Sequence, residues 1–156
     1  MTGPYTPEEE RALDAIEELL VDQQVSYAQM MKMYAGFLLD CISAGRFDTS
    51  ISSTDLTLVA EHLRKVNETF ELPDGTELRK PGRRELWSLV QAAEKEQPLL
   101  SALARCAVCC FYEDSGWNPD EKESPTPVPL YLLLLKRVDS EIGVEFLAYV
   151  RSCFNL

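Results

Sequence analysis

The chain has 156 residues, 26 acidic and 15 basic, giving a formal net charge of −11. With 46% hydrophobic and 26% charged residues it reads as one globular domain spanning 1–156, not as a disordered acidic tail. The charge excludes a general binder of phosphate backbones, so no direct nucleic-acid contact is expected. The single histidine, His62, excludes metal and acid–base sites built on paired histidines. The longest apolar run, Val128 to Leu135, falls short of the roughly 20 residues of a membrane span, so no membrane is expected.

The opening residues Met1 to Glu8 carry neither the basic residues nor the apolar stretch of a signal peptide. Five cysteines, Cys41, Cys106, Cys109, Cys110 and Cys153, are odd in number and not spaced as a disulfide framework. Reduced thiols in the cytoplasm are the expectation. Asn67-Glu68-Thr69 matches a glycosylation sequon, but it falls inside a helical pattern and lacks a secretory route.

In chain order, Thr6 caps a first helix with Pro7 in its first turn and Glu8, Glu9 and Glu10 at the positive end of its dipole. Leu13, Ile16, Leu19 and Leu20 share one face, opposite Glu10, Asp14, Glu17, Glu18 and Asp22. Ser26 and Gln29 form a capping-box pair for a second helix, whose apolar positions are Met30, Met33, Tyr34, Phe37, Leu38, Cys41 and Ile42. Few polar residues interrupt it, which predicts the central buried helix, and Gly45 predicts its stop.

Ser53 or Thr54 opens a third helix with a 3-4-3-4 stripe of Leu56, Val59, Leu63, Val66 and Phe70. Two heptads are too short for a free coiled coil, so packing inside the domain is expected. Leu72-Pro73-Asp74-Gly75 is a turn signal, and Thr76 to Gly82 reads as a short hairpin arm or a loop. Leu86, Leu89, Val90 and Ala93 mark a fourth helix. Pro98 opens a fifth with Leu99, Leu103, Cys106 and Cys110 in line.

Residues 113–129 break the pattern with acids, Trp117 and four prolines, Pro119, Pro125, Pro127 and Pro129, and read as a long irregular loop. Tyr131 to Val138 suits a buried helix or a buried strand. The leucines favour helix. Ser140 then caps a final helix with Phe146, Leu147, Val150 and Cys153 inward. The fold class read from the sequence is mainly α: a compact single-domain bundle of six or seven helices with a long acidic loop.

The acid is concentrated. Residues 1–25 carry net −6 and residues 113–123 net −4, whereas residues 64–84 carry net +2. Two acidic surfaces suit a basic protein partner, because concentrated charge of one sign accelerates encounter with the other. The plainer use of such charge is solubility. Trp117, in a polar Pro-flanked loop, is placed either as an interface anchor or to pin the loop to the domain. Trp87, beside Leu86 on a regular helix, reads as core or partly core.

Catalytic signals are sparse. Cys106-Ala107-Val108-Cys109 is one C-x-x-C without the second pair that a structural zinc site needs, so no metal and no cofactor are expected. Cys109, offset from the stripe and one turn from Arg105, reads as the most exposed thiol. His62 reads as a histidine at the helix surface or the edge of the stripe, without a local nucleophile to activate. No phosphate-loop, dinucleotide, nucleophile-elbow or zinc-protease motif occurs.

The leading expectation is a non-enzymatic cytoplasmic protein that neutralises a basic protein partner. By analogy of composition alone, a bacterial immunity protein or antitoxin-type inhibitor is its most concrete form. The partner-binding residues are then Glu10, Asp14, Glu17 and Glu18 on the first helix and Glu113, Asp114, Trp117, Asp120 and Glu121 in the loop. One alternative is a secretion chaperone or phage-encoded inhibitor with Met30, Met31 and Met33 lining an apolar groove. The other is a Mg²⁺-dependent nucleotide hydrolase using the acidic first helix together with Asp40.

Overall fold

Seven helices and no strand make up the regular structure of residues 6–25, 27–69, 72–108, 128–139 and 141–154, the residues described in this computed structural model. They are α1 (Pro7–Asp22), α2 (Tyr27–Ser43), α3 (Ser53–Thr69), α4 (Gly75–Ala93), α5 (Pro98–Val108), α6 (Val128–Val138) and α7 (Ile142–Ser152). The mainly helical reading therefore holds, and the leucine run at 132–135 is helical. Among the described residues no helix is long and apolar enough to cross a membrane.

Each helix buries one stripe, and all seven stripes feed one continuous hydrophobic cluster. From α2 to α6 each helix packs on the next; α1 instead packs on α7 and α6. The α5 helix lies against α3, α4 and α6, and seven of its eleven residues are buried. Its one buried hydroxyl, on Ser101, donates to the Val90 carbonyl at 2.8 Å, so the burial strands no donor. Burial thus extends around α5 well beyond the narrow stripe expected of it.

Aromatic rings join α2 to the last two helices. Tyr34 stacks on Tyr131 with centroids 4.0 Å apart, and Phe146 meets both Tyr34 at 5.6 Å and Phe37 at 5.2 Å. Met31, absent from the expected stripe of α2, is fully buried, while Met33 and Ile42 are only half-buried.

Several expectations need correction. Thr76 to Gly82 is neither an arm nor a loop, because α4 runs unbroken from Gly75 through Pro81. Its inward positions Arg79, Gly82, Leu86, Val90 and Ala93 keep helical spacing, but the first two are not apolar, so the stripe is invisible there in the sequence. Residues 113–127 of the expected loop lie outside the described residues, and its expected end at 128–129 is already helix, since α6 begins at Val128, with Pro129 in a first turn that has no use for its missing N–H. Cys153 does not point inward; it is exposed. Ser140 lies outside the described residues, and the turn into α7 is closed by Asp139, whose Oδ1 accepts from the Glu141 N–H at 2.9 Å. Ser26, Phe70 and Cys110 also lie outside the described residues.

Two helix ends show the same device. After α2, Gly45 adopts φ +79°, its N–H reaches the Ile42 carbonyl and the Arg46 N–H reaches that of Cys41. This is the Schellman closure that the glycine predicts. After α1, Gln24 takes φ 49° with the Val25 N–H on the Leu20 carbonyl, and Val25 and Leu20 are both buried. A β-carbon on Gly45 would also meet Asp48 Oδ2 at 2.9 Å. Gly45→Ala is therefore expected to lower stability by about 1–2 kcal/mol, the cost of an L-residue in the left-handed region. Urea unfolding should show an earlier midpoint with an unchanged slope.

Candidate functional site

The N-terminal turn of α1 is fixed by a capping box. Thr6 Oγ1 accepts from the Glu9 N–H at 3.1 Å, and Glu9 Oε1 accepts from the Thr6 N–H at 2.7 Å. The same Glu9 oxygen accepts from Lys136 Nζ of α6 at 2.6 Å, and Glu9 is 2% exposed. Gly143 of α7 makes room for it: a β-carbon there would stand 2.7 Å from Glu9 Oε2 and 2.6 Å from Leu132 Cδ1. Burial pushes the Glu9 carboxyl up, but Lys136 and the Thr6 N–H together more than offset it and hold the group below its ordinary value. In the sequence Glu9 reads as one of three dipole acids; the Thr6-x-x-Glu9 spacing is the signal that sets it apart.

This clamp fixes the rotation of α1. Leu13, Ile16 and Leu20 face inward, and Glu10, Asp14, Glu18 and Asp22 project outward at four-residue intervals, with Glu17 half-buried beside them. Like charges at i,i+4 destabilise a helix by about 0.2–0.5 kcal/mol per pair. Among the described residues no ion pair compensates Glu10, Asp14, Glu18 or Asp22. The nearest cation at the end of the stripe is Arg151, which shares a shallow cleft of about 230 Å³ with Glu18 and Asp22. The four expected α1 residues thus come together on one surface. The other five, Glu113, Asp114, Trp117, Asp120 and Glu121, lie outside the described residues.

A second electrostatic tie carries no signal in the sequence. Arg46, just past the α2 stop, donates to Asp139 Oδ2 at 2.8 Å and pairs with Glu145 of α7. The Glu141 N–H and Arg46 hold the Asp139 carboxyl below its usual range. His62 sits deeper than a surface position: it is 8% exposed, with Nε2 3.3 Å from Glu85 Oε2 of α4. Trp87 is half-buried, in keeping with a partly core position, with the Arg105 guanidinium over its ring at 5.6 Å.

Burial pushes the Cys41 thiol up to about 11, which leaves almost no thiolate at neutral pH. Cys106 is fully buried, and Cys109 lies outside the described residues. Among the described residues, no three His, Cys, Asp or Glu side chains gather as a metal site. Asp40, the acid needed to complete a Mg²⁺ cluster, is on α2, whereas α1 packs on α7 and α6. The expected methionine groove is also lost, since Met30 and Met31 are fully buried. Met33 borders a cleft of about 530 Å³ with Val25, Lys32 and Phe154. No protein-family model, curated protein or solved structure matches the chain.

The acid stripe lends itself to a stability measurement. Asp14→Gln removes two like-charge contacts and is expected to raise stability by about 0.5–1 kcal/mol, read as a higher thermal midpoint at low salt that converges with the wild type at high salt. The clamp lends itself to another. Lys136→Met strands a buried carboxylate and is expected to cost about 3–5 kcal/mol, with Glu9→Gln/Lys136→Met recovering part of the loss. Glu9 is held below its unfolded value, so its contribution is complete above the ordinary carboxylate range and fades as pH falls through the lower folded value. Removing Lys136 should therefore flatten the acid limb of the stability–pH curve.

Proposed function

We propose that this chain is a single-domain, non-catalytic binding protein that neutralises a basic protein partner, most concretely as an immunity-protein or antitoxin-type inhibitor. One observation carries this reading: α1 keeps an exposed stripe of Glu10, Asp14, Glu18 and Asp22 at a spacing that costs the helix stability. Solubility alone does not require that spacing, because the same acids interspersed with bases would serve it equally. A partner of opposite charge offsets the repulsion on binding and gains from steering during encounter.

The acid-rich segment around Trp117 extends the proposed contact, with the tryptophan as its anchor. The proposed compartment is the cytoplasm, supported by Cys41 and Cys153 as free thiols. The absence of sequence motifs for nucleotide, phosphate or metal chemistry agrees with a protein that acts by occupying a surface.

The test is affinity capture from a lysate of the source cell at low salt, with a salt gradient and mass spectrometry. It is run in parallel on the wild type and on Glu10→Gln/Asp14→Gln/Glu18→Gln. One stoichiometric basic protein should leave the wild type late in the gradient and leave the variant early or not bind it. An identical set retained on both would overturn the reading. With that partner purified, Glu17→Lys/Glu18→Lys should lower the association rate and its salt dependence, whereas Trp117→Ala should raise the dissociation rate.

A further inference from the structure

On a different surface from the acid stripe, α4, α5 and α6 enclose an open cleft of about 530 Å³. That volume falls within the range of small-molecule sites. Its apolar lining comes from Trp87 and Val90 of α4, Pro98 and Ala102 of α5 and Leu134 of α6. The Ser101–Val90 hydrogen bond ties two of those helices together beneath it.

Two arginines border the cleft, Arg105 in the last turn of α5 and Arg137 in the last turn of α6. Arg105 rests over the Trp87 ring, 5.6 Å from its centre. A guanidinium stacked on an indole face loses rotamer freedom in advance while its N–H edge stays available for a two-oxygen acceptor. Among the described residues neither Arg105 nor Arg137 forms an ion pair, in a chain with 26 acids. Glu94 also borders the cleft, so the charge around it is two positive and one negative. A single negative charge balances that set. A dianion would bring its second charge against Glu94.

We propose that this cleft binds a small organic monocarboxylate with an apolar body. The carboxylate lies between Arg105 and Arg137, and the body covers Val90, Ala102 and Leu134. Trp87 acts as a positioning residue through Arg105. The site is independent of the acid stripe on α1 and of any protein partner there.

Isothermal titration of the full chain with 4-phenylbutyrate and octanoate tests this, against 4-phenylbutyramide and inorganic phosphate as controls. Both acids should saturate one site, and the amide should bind at least about tenfold more weakly, because it forfeits the charge-assisted hydrogen bonds. Arg105→Gln and Arg137→Gln should each weaken the acids by about tenfold or more, with melting temperatures unchanged because both side chains are exposed. Trp87→Leu should weaken the acids while leaving weak amide binding in place, a split that loss of packing alone would not give. Equal binding of acid and amide, unaffected binding in both arginine variants, tighter binding of phosphate than of either acid, or no saturation by about 10 mM would each overturn the proposal.

Discussion

A carboxylate withdrawn from water must be met by a cation and by donors, or it does not stay there. Glu9 is the point at which this fold accepts that condition. Its Oε1 receives both the Thr6 N–H and the Lys136 ammonium, and Gly143 leaves the space that Oε2 needs. One side chain therefore fixes how α1 begins, how it is rotated and which helices it docks on. An apolar residue at position 9 would fill the space but would leave the angle of α1 about its axis to packing alone. A hydrogen-bonded charge pair sets that angle more narrowly, because its geometry tolerates less drift than contact between methyl groups.

The rotation matters because α1 has two chemically opposite sides. Turned by a quarter, it would press Glu10 and Glu17 toward the core and lift Ile16 into water. The charge distribution of the molecule follows from this. The acids of α1 collect on one surface, and two arginines border the cleft at the junction of α4, α5 and α6. Arg46 adds a second tie at the α6–α7 turn where Glu9 is held. Its bonds to Asp139 and Glu145 tie the end of α2 to the start of α7, so Phe37 and Tyr34 meet Phe146 at a fixed spacing.

Where apolar residues recur at helical spacing, the fold is legible. The faces of α1 and α3 and the Gly45 stop follow from periodicity and capping chemistry, and the helical state of the leucine run follows from leucine's helix propensity. Legibility fails where an inward position is polar or missing its side chain. Arg79 and Gly82 continue the α4 stripe but carry no hydrophobic signal, so that stretch reads as irregular. Cys153 fails in the other direction, sharing the helical phase of Val150 while lying past the last turn that the core covers. The acid face of α1 is legible because it needs only the helix. The cleft bordered by Arg105 and Arg137 is not, because α6 must pack against the α4–α5 pair before it exists.

The order of packing along the chain also has a temporal side. From α3 to α7 each helix can dock on one that has just left the ribosome, whereas α1 packs on α7 and α6. Helix α1 therefore waits through translation of the helices between, with Leu13, Ile16 and Leu20 uncovered. Its closing contact, Glu9 to Lys136, spans 127 positions and forms only after α6 has been made. During that interval the run of acids on the other side of α1 repels neighbouring nascent chains that carry the same run, which limits clumping on crowded polysomes.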